Sequence, residues 1–127
     1  MSTTVRIPGR DVSGLEPTDY IAPEALKSGE PNERGRSFYA DQTGQLDAGY
    51  WECDVNEHVF EASPYDEFVH ILEGDLEVTH DDGSVAAYKA GDSFVMPRGC
   101  ACTWNVKAPL RKVYVVLTAN DYRDGST

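Results

Sequence analysis

The residues able to do acid–base, metal or thiol chemistry are few, and their spacing narrows what they could do. There are three histidines, His58, His70 and His80, and three cysteines, Cys53, Cys100 and Cys102. An odd number of cysteines does not make a disulfide framework. Cys100-Ala101-Cys102 is C-x-C, with no second pair to complete a four-thiolate zinc site. The expectation is therefore reduced thiols in a cytoplasmic protein, since Met1–Pro8 lacks the apolar core of a secretory signal. Carboxylates are abundant. Between Ser37 and Tyr88 there are 13 acids, Glu61 and Glu67 among them, and no Lys or Arg. Most read as a solvated acidic face; a few are candidates to line a site for a cation or a cationic substrate.

The aromatic residues Tyr50, Trp51, Phe60, Tyr65, Trp104 and Tyr114 fall in or beside short apolar runs. Most of them are expected to fill a core. A barrel mouth lined by aromatics around one buried carboxylate is also a usual small-molecule site. On that reading Trp51, Phe60, Tyr65, Cys102, Trp104 and Lys112 are the candidate ligand-binding residues. Lys112 or Arg111 is placed to anchor a carboxylate. Cys102 would serve as a nucleophile only beside a base or a positive charge. Phosphate-loop, dinucleotide-loop and serine-elbow signatures do not occur.

These groups need elements to position them. The chain has 127 residues and a mass of 14.0 kDa, enough for one domain with a real core. Its net charge of −11 shows no basic face for nucleic acid or anionic membrane, and neither is expected as a partner. Residues 1–36 are rich in Pro and Gly, have weak periodicity and read as an N-terminal arm. From Ser37 the texture changes to short runs rich in Val, Phe, Tyr, Trp and Thr, separated by turn residues. Leu76-Glu-Val-Thr-His80 alternates, and Asp81-Asp82-Gly83-Ser84 closes a hairpin. Ala90-Gly91-Asp92 and Pro97-Arg98-Gly99 bracket Ser93–Met96. About eight short strands without a long helix predict an all-β sandwich or barrel over residues 37–120, followed by a C-terminal tail at 121–127.

Glu67-x6-Gly74 and then Gly91-x5-Pro97-x-Gly99 resemble the two motifs of the cupin superfamily, G-x5-H-x-H-x3,4-E-x6-G and G-x5-P-x-G-x2-H-x3-N. The runs EFVHILEGDLEVTHDDG, AGDSFVMPRG and RKVYVVL are similar to the small single-domain branch that includes the ureidoglycine aminohydrolase and ethanolamine-utilisation cupins. The resemblance covers roughly residues 46 to 118. It implies a single-domain, RmlC-like jelly-roll β-barrel in which Glu67, Val69 and Ile71 face the bore and Phe68, His70 and Leu72 the outside. It also implies a homodimer formed through an outer sheet face, for which Phe68, His70 and Leu72 are the candidates.

The departures from the motif bear on chemistry. The H-x-H positions hold Phe60 and Ala62, or Glu61 and Ser63 with the shorter spacer, and the second-motif histidine position holds Cys102. A divalent metal (Mn, Zn or Fe) would draw its donors from Glu67, Cys102, Glu61 and His58, but the usual centre needs at least three protein ligands, and the expectation leans against it. Two functional readings stay open. One is an enzyme acting on a small polar metabolite, nitrogenous or carboxylated, with Glu67 as acid/base or partial metal ligand. The other is a binding or accessory module that has lost the histidines. If Glu67 serves a metal-free pocket, Glu67→Gln should leave the melting temperature equal or higher while abolishing ligand binding.

Overall fold

The computed structural model describes residues 2–118; the tail expected at 121–127 lies outside the described residues. Nine strands follow in chain order: β1 (Glu16–Pro17), β2 (Leu26–Gly29), β3 (Arg34–Ala40), β4 (Leu46–Cys53), β5 (Asn56–Phe60), β6 (Asp66–His80), β7 (Val85–Lys89), β8 (Ser93–Met96) and β9 (Cys102–Leu117). A 3-10 turn at Pro23–Ala25 precedes β2. The fold is the expected all-β jelly-roll barrel.

The long antiparallel pair β6–β9 forms the spine, with register running from Asp66↔Leu117 to His80↔Cys102. The first half of β6 pairs with β8 and its second half with β7. In the same way, the first half of β9 pairs with β5 and the second half with β4. The ladder slips in register around Glu73, Asp75 and Leu76, where the sheet folds over on itself. Gly74 sits at this corner with φ of 122°, and a Cβ there would lie 2.8 Å from the Pro109 carbonyl oxygen. This is the physical reason for the motif glycine. The two halves of the folded sheet face each other, and the core lies between them.

Alternation then decides which side chains go inside. Glu67, Val69 and Ile71 are buried, whereas Phe68 is exposed. On β9 the inward set is Cys102, Trp104, Val106, Leu110, Lys112 and Tyr114, all buried. On β4, Trp51 and Cys53 join the core, while Tyr50 turns the other way and donates from its hydroxyl to Glu52 Oε1 at 2.7 Å. Glu52 is in turn paired with Arg34.

The N-terminal segment is woven into the barrel. Its strands β1 and β2 pair with β3 and β5, and the division placed at 36/37 falls inside β3. Upstream, the Ser13 carbonyl accepts from Arg36 Nη1 at 3.0 Å, and Gly9 lies against Leu72. Leu72 of the expected outer contact is thus half-buried, with Gly9 of the same chain beside it.

Candidate functional site

Between the two halves of the sheet lies a cavity of about 200 Å³. β4 supplies Trp51, β6 supplies Glu67, and β9 supplies Trp104, Lys112 and Tyr114; His58 and Phe60 come from β5, and Tyr65 from the loop before β6. Eight of the residues singled out from the sequence therefore meet in one place: Trp51, His58, Phe60, Tyr65, Glu67, Trp104, Lys112 and Tyr114.

At the centre, Lys112 Nζ donates to Glu67 Oε2. Both residues are almost wholly buried, with 3% of Glu67 and 6% of Lys112 exposed. The ammonium also sits 4.8 Å from the ring centroids of Trp51 and Trp104, and 6.0 Å from that of Tyr114. The lysine is thus enclosed by one carboxylate and three aromatic rings. The expectation of a lone inward acid is corrected, because Glu67 has a partner. Sequence parity carried the signal. Lys112 alternates with the inward Leu110 and Tyr114, and a lysine pointing inward needs a counter-ion.

His58 borders the same space. Its ring stands 5.6 Å from those of Phe60 and Trp104. Asn56 Nδ2 donates to the Asp54 carbonyl at 2.8 Å, which turns Asn56 Oδ1 toward His58 Nδ1 at 2.6 Å. An amide oxygen only accepts, so Nδ1 carries the proton. Burial, with a further push from the Lys112 ammonium, lowers the His58 pKa to about 4. The ring is therefore neutral near pH 7, and Nε2 is left as an acceptor.

Several lining residues were not singled out from the sequence. Tyr20 and Ile21 come from the arm, and Gln45 and Asp47 from the β3–β4 hairpin. The arm is held there by one carboxylate. Glu33 Oε1 accepts from the Thr18 hydroxyl at 2.7 Å and the Tyr20 amide at 2.9 Å, and Oε2 accepts from the Ile21 amide at 2.9 Å. Trp51 Nε1 donates to Thr18 Oγ1 at 3.0 Å and to Glu33 Oε1 at 3.3 Å, so the same clasp fixes a cavity wall. Asp47 raises the pKa of Tyr114, after burial itself. It acts likewise on Tyr20, again second to burial.

Cys102 and Glu61 do not line this cavity. The Cys102 thiol turns to Met96 Sδ at 3.8 Å in the core, and burial lifts its pKa to about 12. It therefore packs as a small apolar group. Beside it, the buried Trp104 Nε1 has no hydrogen-bond partner among the described residues. Glu61 is exposed and borders a neighbouring hollow of about 350 Å³ between the arm and β5. His70 stays outside, its Nδ1 2.8 Å from Ser93 Oγ, and His80 Nδ1 lies 3.1 Å from Ser84 Oγ beside the hairpin turn. Arg111 projects outward toward Glu73 at 3.9 Å.

The donors named for a divalent metal do not fit one. Among the described residues no three His, Cys, Asp or Glu side chains are gathered as ligands. Glu67 already faces an ammonium, which would repel a second cation, and Cys102 faces Met96.

A jelly-roll barrel with the two glycine–proline turn motifs and a cavity in its bore defines a cupin. The EutQ-like cupin domain model matches residues 40–114, and the chain belongs to that family. Among solved structures, a protein of unknown function from Pseudomonas syringae pv. tomato, belonging to the DUF861 family, superposes with a TM-score of 0.80 at 23% identity over 87% of this chain. The present chain spans 46% of that protein's length. A structure described as ethanolamine utilization protein Q from Salmonella typhimurium superposes with a TM-score of 0.65 at 26% identity, covering 94% of this chain and 96% of the other. An RmlC-like cupin from Shewanella frigidimarina gives 0.58 at 15% identity over 83% and 96% of the two chains. No curated protein matches. No helix of the described residues is long and apolar enough to cross a membrane.

Proposed function

We propose that this cupin binds a small polar metabolite in its bore, with the Glu67–Lys112 pair as the group that meets the ligand. The observation that carries the reading is the placement of that pair at the border of an aromatic-lined cavity. Replacing a buried ion pair by apolar residues is often neutral or stabilising, so cores do not need one for stability alone. A carboxylate and an ammonium side by side can also give and take a proton, which supports acid–base chemistry on a bound nitrogenous or carboxylated compound. That chemistry needs no metal step.

A second reading, binding without turnover, is favoured by how fully the pair is satisfied. Lys112 is held by Glu67 and three rings, and His58 by Asn56. The two readings share one experiment. A library of small polar metabolites is screened by ligand-detected NMR against the wild type and against Glu67→Leu/Lys112→Met, in which the charges are gone but bulk remains. Hits that bind the wild type and not the double variant support the site. Chemical conversion of a hit by the wild type selects the first reading. Hits that bind both proteins equally overturn the role of the pair, and no hits at all overturn the site.

The chain is further proposed to act as a homodimer in the cytoplasm. Support for pairing comes from an uncharged row that crosses five strands on the outer face. Tyr39, Ala48, Val115, Phe68 and Val95 are successive register partners. Tyr39, Val115, Phe68 and Val95 are all exposed. In a chain of net charge −11, an uncharged stripe this long is the natural place for a second copy, because only there do two such molecules meet without opposing carboxylates.

A further inference from the structure

We infer that the cavity takes a small organic cation bearing N–H donors, of the primary-amine or amidinium class, rather than a carboxylate. This inference rests on the bore being a ligand site and names what the site selects. Inside, the one positive charge contributed by Lys112 is cancelled by Glu67. Asp47 at the hairpin edge of the cavity then leaves the lining with a net negative charge. His58 adds no positive charge, since its ring is neutral near pH 7. Its Nδ1 proton is committed to Asn56, so the ring nitrogen left without a proton, Nε2, can only accept.

The lining thus carries acceptors, the imidazole of His58 and the Asp47 carboxylate, whose Oδ1 also accepts from the Ser37 hydroxyl at 2.5 Å, and a ligand supplying donors suits them. An anionic ligand would meet Asp47 with like charge and would have to take Lys112 away from Glu67, leaving that carboxylate buried and unpaired. A cationic ligand needs neither change. The aromatic walls Phe60 and Tyr65 give apolar surface for the body of the ligand, whereas Trp51, Trp104 and Tyr114 already face Lys112.

The test uses three probes of one shape, benzylamine, benzyl alcohol and benzoate, titrated into the full chain at pH 7.5 and physiological salt. Binding is followed through the indole N–H resonances of Trp51 and Trp104, so that attachment elsewhere on the acidic surface is not counted. Benzylamine should bind at least about tenfold tighter than benzyl alcohol, with benzoate weakest. Asp47→Asn should bring benzylamine down to the alcohol's affinity and leave the alcohol unchanged. Benzoate binding tightest, or benzylamine binding indifferent to Asp47→Asn, overturns the cation inference while the bore stays a ligand site. None of the three moving the indole resonances overturns the inference and the ligand site together.

Discussion

Lys112, on β9, is the counter-ion of Glu67, on β6, and the two are 45 residues apart in the chain. The carboxylate that the cupin motif offers to a metal is here matched by an ammonium from the same chain.

That pairing sets the sign of its mutants. Glu67→Gln leaves Lys112 buried without a counter-ion and should cost about 3–5 kcal/mol, opposite to what a lone acid implies. Lys112→Met should cost a similar amount for the mirror reason. The double variant Glu67→Leu/Lys112→Met should unfold within about 1 kcal/mol of the wild type or be more stable. Urea denaturation at pH 7 reads all three, and additive losses in the double variant would show that the two residues do not act as a pair.

His58 makes stability depend on pH. Its folded-state pKa is lowered to about 4 from the ordinary 6.5, chiefly by burial. Between those values the unfolded chain binds a proton that the folded chain refuses, so stability falls as pH drops through that window. The full effect is about 3 kcal/mol, reached near pH 4. His58→Gln should remove this part of the acid loss. Unfolding midpoints at pH 7 and pH 4.5, taken for both proteins, give the difference; parallel curves would mean that His58 charges as easily folded as unfolded.

Glu33 holds the arm over the cavity through Thr18, Tyr20 and Ile21. Hydrogen bonds to a charged group contribute about 1.5–3 kcal/mol, so Glu33→Ala should raise local opening of the segment by about tenfold or more. Limited proteolysis measures this directly. Cleavage between residues 15 and 30 should quicken while the strands from β4 onward resist as before, and unchanged cleavage would show that the arm is held by other contacts.

Phe68 lies within the exposed uncharged row, between Val95 and Val115. Phe68→Asp places a charge there and should convert a dimer to a monomer in light-scattering chromatography, with little change in melting temperature because the side chain is exposed. A wild type that runs as a monomer at tens of micromolar would remove the proposed interface.

What was legible in the sequence is what local rules control. Turn glycines and prolines mark the strand ends, and period-two alternation sets the inward side of each strand. Together these yielded the all-β class; the resemblance to the cupin motifs supplied the jelly roll and the inward direction of Glu67, and eight of the residues singled out meet in the cavity. Alternation depends only on neighbours in the chain, so it survives without coordinates. What the tertiary structure decided is which inward groups touch. The fold at Gly74 brings Trp104 across the bore from Trp51 and lets the long Lys112 side chain reach Glu67 between them. Cys102 shares the parity of Trp104, yet closure of the barrel turns it to Met96 instead of the cavity. Tyr20 and Ile21 sit in a segment with no periodicity to read, and they join the wall because Glu33, many residues later, captures their amides. Such contacts span sheet halves and loops, and only the closed shape of the chain specifies them.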